Sequence, residues 1–344
     1  MLEPALLGDT TLILILAAAA LIIAWFGSKM AKIADIIADR TGLGEALIGA
    51  VLLGAGTSIS GIVTSVSTAA QGAPDLSVSN ALGGIAAQTM FLALADLFYR
   101  RVNLEHAGAS PVNLGQATVL IVLSILPILA FTLPPIVVWG FNPLSPLMIA
   151  VYLIGLSSAH GIHERPMWLP RQTPDLRNEA DDTEHDPRET INLAASFFGL
   201  LVIVGSCGWV LGEVGIEMSS RYNISQGVVG ALLTAVITSL PELVTTIAAV
   251  RRGALQLAIG GIIGGNMFDA LFISASDFAY RDGSIYHAVS ERTVFWMALV
   301  ALMTTVLLLG LLRREKQGPA GIGWESIWLL VLWVGGAGSQ VWLG

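Results

Sequence analysis

The sequence predicts an all-α integral membrane protein with ten transmembrane helices arranged as two inverted five-helix repeats. Three observations support this fold class: the composition, the placement of the basic residues and an internal repeat. Of the 344 residues, 54% are hydrophobic and only 12% are charged, and the mean hydropathy is +0.74. Because about a quarter of the residues in a typical soluble domain are charged, this composition excludes an ordinary soluble domain.

Apolar runs long enough to cross a membrane occur ten times along the chain, since a helix needs about 20 such residues to cross the hydrocarbon. The polar segment 161–190 separates a first five-helix half, 1–160, from a second, 191–344, and we interpret it as a cytoplasmic loop. The predicted spans lie near residues 10–27, 45–69, 76–98, 116–134, 144–160, 191–212, 226–250, 255–278, 293–312 and 324–343.

The basic residues predict the orientation, because lysine and arginine concentrate in cytoplasmic loops. With both termini outside, 14 of the 17 basic residues are cytoplasmic and 3 are external. Glu3 and Asp9 precede the first span where a signal peptide would have basic residues, so we expect no cleaved signal peptide. The single cysteine, Cys207, and the short central loop favour a prokaryotic plasma membrane.

The chain contains an internal repeat. Residues 41–100 align without gaps with residues 222–281, and 16 of the 60 aligned positions are identical. Each copy covers two spans within a half of five, and because five is odd the second half enters the membrane from the opposite side. Inverted repeats place a shared ion site near the bilayer midplane, where broken helices expose carbonyl groups. The identical polar positions include Thr57/Thr238, Ser58/Ser239 and Asp96/Asp277.

The stretch VITSLPELVTT in the seventh span contains a proline and a glutamate amid apolar residues. Pro241 lacks an N–H and is expected to kink the helix and free carbonyl groups near Thr238. Thr238 and Ser239 share a helical face with Glu242, because they precede it by four and three residues. Together they offer only oxygen ligands, which suit hard cations such as Na⁺ or Ca²⁺.

The eighth span, GGIIGGNMFDALF, adds Asn266 and a second acid, Asp269. Because an aspartate at mid-membrane costs roughly 2.5–3.5 kcal/mol on insertion scales, Glu242 and Asp269 are expected to face one another or a bound ion. Asp96 and Asp277 lie near span ends, each followed by a Tyr-Arg pair. We expect interfacial ion pairs there.

These motifs resemble the alpha repeats of the calcium/cation antiporter superfamily, which includes Na⁺/Ca²⁺ and Ca²⁺/H⁺ exchangers. The family pattern is a GTSLPE-type motif followed by a GN-x-x-GSN-type motif in each half of ten spans. TSLPELVTT with GGIIGGNMFD matches it well, and GAGTSISGIVTS with SNALGGIAAQ matches it in part. The resemblance implies a secondary cation antiporter of the Na⁺/Ca²⁺ exchanger type, in which the first and sixth spans move to alternate access.

The resemblance also implies a set of cation ligands and no cofactor besides the transported ions. The central site would use the carboxylate of Glu242, Asp269, and backbone oxygens of Thr57 and Thr238. Flanking Na⁺ sites would involve hydroxyl groups and a backbone carbonyl. The complete predicted metal-ion site consists of Glu242, Asp269, Thr238, Ser239, Thr57, Ser58, Asn266, Gln88 and Ala235.

The first repeat departs from the family pattern at the positions that should bind the ion. Gly61 replaces the paired glutamate and Ser60 the proline, while Gln88 stands opposite Asp269. A Ca²⁺ site takes 6–8 oxygens, usually with several carboxylates. Two acids can balance one divalent ion, or one monovalent ion and a proton, so Ca²⁺, Na⁺, K⁺ and H⁺ all stay open as cargo. The motif serines are also replaced, by Gly84 and Gly265.

Two alternatives to Na⁺/Ca²⁺ exchange stay open: a monovalent cation (Na⁺ or K⁺)/H⁺ antiporter, and a transport-inactive homologue that acts as a membrane sensor or scaffold. An enzyme is not expected, because the chain has no H-E-x-x-H and no G-x-S-x-G motif. The expected partners are inorganic cations and the lipid bilayer. Nothing in the sequence indicates nucleic acid or fixes an oligomeric state.

Overall fold

The computed structural model describes residues 4–41, 49–98, 103–169, 187–315, 318 and 322–343. Residues 42–48 of the first repeat and 170–186 of the predicted loop lie outside these ranges. The α-helices of the described residues are α1 (Asp9–Ile22), α2 (Ser28–Thr41), α3 (Gly49–Ala70), α4 (Pro74–Phe98), α5 (Leu104–Gly108), α6 (Pro111–Thr132), α7 (Leu144–Glu164), α8 (Pro187–Tyr222), α9 (Gln226–Val228), α10 (Ala235–Thr238), α11 (Leu240–Arg252), α12 (Leu255–Asp269), α13 (Leu271–Ala279), α14 (Ile285–Ala288), α15 (Glu291–Arg313) and α16 (Trp324–Leu343).

Among the described residues, seven helical stretches are long and apolar enough to cross a membrane, and a bent pair, Gln226–Thr238 with Leu240–Arg252, makes an eighth. These correspond to eight of the ten predicted spans. The other two, near 45–69 and 324–343, fall on α3 and α16, which have 22 and 20 residues. The protein is therefore an all-helical, multi-pass membrane protein, and the count of ten spans stays a prediction.

Helices α4 and α12–α13 cross the centre of the molecule side by side. Ser77 bonds to Ser276 at 2.8 Å, and further along α4 the Thr89 hydroxyl accepts a bond from Asn266 at 2.9 Å. Residue numbers rise along α4 while those of its partners fall, so the two elements are antiparallel. α4 is almost entirely buried, and apart from a few polar side chains, such as Asn80, Gln88 and Asp96, its sequence is apolar or small on every face.

Helices α1 and α8 form an outer layer against α3. Arg221 ties the end of α8 to the start of α1 through the Asp9 carboxylate, at 2.9 Å. On the inner side, the Thr64 hydroxyl donates to the Gly208 carbonyl at 2.7 Å. A Cβ on Gly208 would lie 2.3 Å from the Ser60 carbonyl oxygen, so the absence of a side chain brings these helices together. The outward faces expose large apolar side chains, including Ile13, Leu14, Leu21, Phe198 and Val202.

The seventh span is broken at Ser239, between α10 and α11. The two parts meet at an angle of 47°, and a π-helical turn, Val229–Thr234, precedes the break. Pro241 lies in the first turn of α11, where it donates no backbone bond to the preceding helix. The kink predicted from this proline is therefore confirmed. Gly27 packs directly on the break, since a Cβ there would lie 2.4 Å from Pro241 Cγ.

The carboxylate of Asp96, near the end of α4, is bound by neutral donors. One oxygen accepts the Leu104 N–H at 3.0 Å; the other accepts the Gly323 N–H at 2.9 Å and the Ser326 hydroxyl at 3.0 Å. These residues, the Asp96 cluster, join the start of α16 and the short helix α5 to α4.

Asp277 forms the same arrangement near the end of α13, the Asp277 cluster. It accepts the Ile285 N–H at 3.0 Å, the Asn142 N–H at 2.7 Å and the Ser145 hydroxyl at 2.6 Å. Each position differs by 181 from its counterpart in the Asp96 cluster, so the repeat extends beyond the aligned segments. The predicted interfacial ion pairs are wrong for Asp277, whose bonds come from neutral groups rather than from Arg281.

The same repeat provides a test of close packing. A Cβ on Gly83 of α4 would lie 2.4 Å from backbone atoms of Ala231, whereas at the equivalent Gly264 nothing lies within 4 Å of one. We expect Gly83→Ala to lower the free energy of unfolding by about 1–3 kcal/mol, the usual effect of overpacking. Gly264→Ala should leave it unchanged or slightly raised, because alanine favours helix. Thermal unfolding in detergent checks this, and equal losses in both variants would contradict it.

Candidate cation site

The nine predicted site residues lie together in the membrane interior, on elements from both halves of the chain. Thr57 and Ser58 are on α3 and Gln88 is on α4, while the others lie along α10, α11 and α12 and at the break between α10 and α11. All nine are buried, with no more than 6% of any of them exposed.

Glu242 and Asp269 bring two carboxylates into this buried region. Glu242 lies in the first turn of α11, immediately after the break, and Asp269 is the last residue of α12. Ser58 lies beside both carboxylates and Thr57 beside Glu242. No lysine or arginine of the described residues forms an ion pair with either acid. Because a buried charge is costly without a partner of opposite sign, this pair favours a cation.

Gln88 meets Asp269 directly, as the repeat predicts for residues 181 positions apart. The Gln88 amide nitrogen donates to Asp269 Oδ2 at 2.6 Å and lies 3.4 Å from the Ser239 hydroxyl. Equivalent positions of two repeats can touch only near the axis that relates them. This contact therefore marks the boundary between the halves and holds one oxygen of Asp269.

Several other oxygens of the site are buried and make no hydrogen bond of good geometry among the described residues, although the Thr57 and Ser58 hydroxyls lie nearby. They are both carboxylate oxygens of Glu242, Oδ1 of Asp269, and the amide oxygens of Gln88 and Asn266. An unsatisfied buried acceptor costs about 1–3 kcal/mol, and more when it is charged, so such a group is rare in native proteins. Carboxylate and amide oxygens are the ligands that hard cations prefer.

The backbone ligands predicted near the break are engaged within the protein. The Ala235 carbonyl accepts the Ser239 N–H and the Thr238 hydroxyl, both at 3.1 Å. The Thr238 carbonyl lies 3.4 Å from the Ser60 hydroxyl. The structure thus gathers the predicted side chains but leaves the Ala235 carbonyl with two donors of its own.

Phe272 fills the space next to Gly61, where the first repeat lacks the counterpart of Glu242. A Cβ on Gly61 would lie 2.7 Å from Cε2 of the phenylalanine ring. The ring belongs to the main hydrophobic core and is 2% exposed. The sequence shows that the second glutamate is missing but not what takes its place, because Phe272 is an ordinary apolar residue of the predicted eighth span.

Asn80 is a polar connection between the halves that the sequence analysis did not select. Its amide nitrogen donates to the Gly61 carbonyl at 3.1 Å and to the Ser65 hydroxyl at 2.9 Å, and its oxygen accepts the Thr234 hydroxyl at 2.7 Å. An amide side chain inside an apolar span was the available signal. Asn80 fixes α3 and α4 against the π-helical turn before the break.

Gly84 and Gly265, at the positions of the family's motif serines, both line the site. A Cβ on Gly84 would lie 3.4 Å from the Ser239 hydroxyl and 3.6 Å from Asp269 Oδ2, and one on Gly265 would lie 3.4 Å from the Gln88 amide oxygen. These are ordinary contact distances. The glycines therefore leave room beside the ligands and contribute no side-chain oxygen.

A buried acidic site lined by oxygens thus lies between antiparallel helices of two similar halves of a multi-pass membrane protein. The chain belongs to the sodium/calcium exchanger protein family, whose family model matches residues 11–157 and 191–342. Relatives in this family are named as exchangers and antiporters, so the homologues of this protein are transporters rather than enzymes.

Individual relatives agree with this assignment. The chain is 26% identical over 302 residues to CaxA of Alkalimonas amylolytica, which is named as an antiporter, and the match covers 85% of this chain and 89% of CaxA. It is 29% identical over 134 residues to the sodium/calcium exchanger MaX1 of Methanosarcina acetivorans, over 39% of this chain and 35% of MaX1. A solved structure of the sodium-calcium exchanger NCX_Mj has the same fold, with a TM-score of 0.61, 20% identity and coverage of 95% and 99%.

The contact between Gly61 and Phe272 predicts how the protein responds when the second glutamate is restored. Gly61→Glu alone should lower the free energy of unfolding by about 2 kcal/mol or more, because its Cβ overlaps the ring. Phe272→Ala alone should cost about 3–5 kcal/mol. In the double variant the two costs should not add, since the new side chain occupies the space that the ring leaves. A double-mutant cycle of unfolding in detergent checks this, and additive losses would show that the two residues do not compete for one space.

Proposed function

We propose that this protein is a secondary antiporter that exchanges cations across the membrane at the site of Glu242 and Asp269, with Na⁺ and Ca²⁺ as the leading pair. The observation that carries the proposal is that three carboxylate oxygens of these two acids are buried without a hydrogen bond of good geometry among the described residues. A cation supplies the opposite charge and the missing partner for each oxygen in one step. Protonation of the two acids would not by itself explain the site, because the amide oxygens of Gln88 and Asn266 also lack a hydrogen bond among the described residues.

The proposed architecture has ten spans in two inverted halves, 1–160 and 191–344, joined by the cytoplasmic loop 161–190. The antiparallel contact between α4 and α12–α13 supports the inversion. The two carboxylate clusters support it as well, since equivalent bonds lie at opposite ends of this helix pair. We propose a prokaryotic plasma membrane with both termini outside, in keeping with bacterial and archaeal relatives.

The proposed ligands fall into two groups. Glu242 and Asp269 bind the central ion directly, and Ser58, Ser239, Asn266 and Gln88 supply neutral oxygens around it. Backbone oxygens at Thr57, Thr238 and Ala235 become ligands when bonds at the break rearrange. This division into two groups is supported by the hydrogen bonds that the Ala235 and Thr238 carbonyls accept within the protein.

Alternating access would come from movement of the outer layer against the site. Helix α8 approaches α3 along a close contact at Gly208, and Gly27 packs on Pro241 at the break. The outer layer has its own apolar cluster, separate from the main core. Movement of α1 and α8 can therefore change the environment of the break without disrupting the central helices.

A monovalent cation/H⁺ antiporter is the second candidate, and the contact between Gly61 and Phe272 favours it. The ring occupies the space for a third carboxylate, so at most two acids face the ion. Ca²⁺ sites usually use several carboxylates. With two acids, the site balances one Na⁺ or K⁺ together with one proton, or a single divalent ion.

Flux measurements in proteoliposomes distinguish these functions. We expect ⁴⁵Ca²⁺ uptake driven by an outward Na⁺ gradient, reduced roughly tenfold or more by Glu242→Gln, because removing a charged ligand costs about 1.5–3 kcal/mol of binding. Asp269→Asn should have a similar effect. Glu213→Gln is the matched control, since it changes a glutamate of α8 outside the site and should leave flux unchanged.

The other outcomes assign the protein differently. Na⁺- or K⁺-coupled proton movement that Glu242→Gln abolishes, without Ca²⁺ uptake, would establish the monovalent antiporter. Absence of flux for every ion pair, with correctly folded protein in the vesicles, would reject transport and favour the sensor or scaffold.

A further inference from the structure

The two carboxylate clusters make the same bonds at four equivalent positions but differ at a fifth. In the Asp277 cluster the fifth residue is Tyr286, whose hydroxyl lies 2.8 Å from the Ser145 hydroxyl. In the Asp96 cluster the equivalent position, 181 residues earlier, is Glu105, whose Oε1 lies 3.2 Å from the Ser326 hydroxyl. A phenol at one membrane face is thus replaced by a carboxyl group at the other.

The number of hydroxyl protons in the two clusters bears on whether Glu105 is protonated. Ser145 donates its single proton to Asp277 at 2.6 Å, so it accepts from the Tyr286 hydroxyl. Ser326 likewise has one proton and contacts two acids, Asp96 at 3.0 Å and Glu105 at 3.2 Å. It can satisfy both only if one of the two acids is protonated and donates to it. Asp96 already accepts the Leu104 and Gly323 N–H groups, so the proton belongs on Glu105, which then donates as the tyrosine does.

The second oxygen of Glu105 is buried in a region of negative charge. Oε2 has no hydrogen-bond partner among the described residues, and the residue is 2% exposed. A Cβ on Gly323 would lie 3.0 Å from this oxygen and 3.1 Å from Oε2 of Glu325, so the two carboxyl groups face the same small space. With Asp96, three acids meet here, where burial strongly disfavours a third negative charge.

The described basic residues on the surrounding elements have polar contacts of their own. Arg313 pairs with Glu315, and Arg314 donates to the His106 carbonyl. The part of α12 that packs on α5 contributes the apolar Leu255 and Ile259. Among the described residues, the titratable and charged groups around Glu105 are Asp96 on α4, His106 on α5, Arg313 at the end of α15, Arg314 and Glu315 after it, and Glu325 on α16.

We propose that Glu105 is a proton-binding site that fixes the start of α16 to α4 and α5 at one membrane face and makes this docking pH-dependent. The proton lies on the Glu105 carboxyl group, which donates to Ser326 and faces Glu325. When it leaves, Ser326 cannot satisfy both acids, and repulsion among the three carboxylates loosens the contact. A proton suits this space better than a metal ion, because the described residues contain no group of three acidic, histidine or cysteine side chains arranged to hold one.

The Asp96 cluster and the Asp277 cluster should respond differently as the pH rises. Burial, reinforced by Asp96 and Glu325, raises the pKa of Glu105 to about 8. Burial also raises the pKa of Tyr286 above its ordinary value, so the phenol keeps its proton throughout this range. Asp96 lies eight residues beyond Gln88 on α4, roughly 12 Å along the helix. Loss of the proton at Glu105 therefore affects α4, the helix that also carries Gln88, the hydrogen-bond partner of Asp269.

Thermal unfolding of the full chain in detergent tests the site without relying on transport. Folded Glu105 keeps its proton up to about pH 8, whereas an unfolded glutamate releases it near pH 4.5. The wild-type Tm should therefore fall relative to that of Glu105→Gln as the pH rises between these values, and the difference should be constant above them. Tyr286→Phe, at the other cluster, should lower Tm at every pH but keep the wild-type pH dependence.

Infrared difference spectra test the protonation of Glu105 directly. A pH step from about 6.5 to about 9.5 should remove a protonated-carboxyl band in the wild type that is absent in Glu105→Gln. Glu325→Gln should shift the loss of this band to lower pH, because it removes a negative neighbour of Glu105. A purely structural role of Glu325 would not produce this shift. If Glu105→Gln does not fold, Glu105→Tyr, which copies the other cluster, serves in its place.

Two results would overturn the proposal. One is a wild-type pH dependence of Tm and of the carboxyl band that survives in Glu105→Gln and Glu105→Tyr. The other is a rise in Tm caused by Na⁺ or Ca²⁺ at alkaline pH that is lost in these variants, which would make the cluster a cation site. Because neither measurement involves flux, their outcome is independent of which ions Glu242 and Asp269 carry.

Discussion

The burial of two carboxylates without a basic partner is the constraint on which the rest of this structure depends. Glu242 and Asp269 lie in an apolar interior, where each charge needs a counter-charge or oriented dipoles. The helix break at Ser239 places Glu242 at the start of α11, where backbone N–H groups favour a negative charge. The buried helix α4 brings Gln88 to Asp269 from the other half. Both features interrupt the regular packing of long helices and bring oxygen ligands together.

Much of the fold could be predicted because burial in a membrane restricts which residue types occur at each position of a span. Long apolar runs located the spans, and Pro241 located the break, since a missing N–H has a local effect that does not depend on neighbours. Glu242 and Asp269 stood out because acids within apolar runs are costly. These inferences use only the chemistry of one residue and its position in a helix, and they needed no knowledge of tertiary contacts.

The features that escaped prediction depend on which side chains meet. Phe272 is one of many apolar residues in its span, and only the structure shows that it occupies the space beside Gly61. Asp277 was expected to pair with an arginine because both lie near a span end. Instead, backbone N–H groups and Ser145 surround its carboxylate. Where neutral donors already satisfy an acid, a nearby basic residue on the surface adds little.

The placement of both site acids in the second half has a consequence for biosynthesis. The first half enters the membrane first and contributes only neutral groups to the site, such as Ser58, Asn80 and Gln88. It can therefore pack without burying an uncompensated site carboxylate. When α11 and α12 follow, the amide of Gln88 is already positioned to receive Asp269. Since chains emerge and fold from the N-terminus, the order of the two halves spares the growing protein an intermediate in which a carboxylate of the cation site is exposed to lipid.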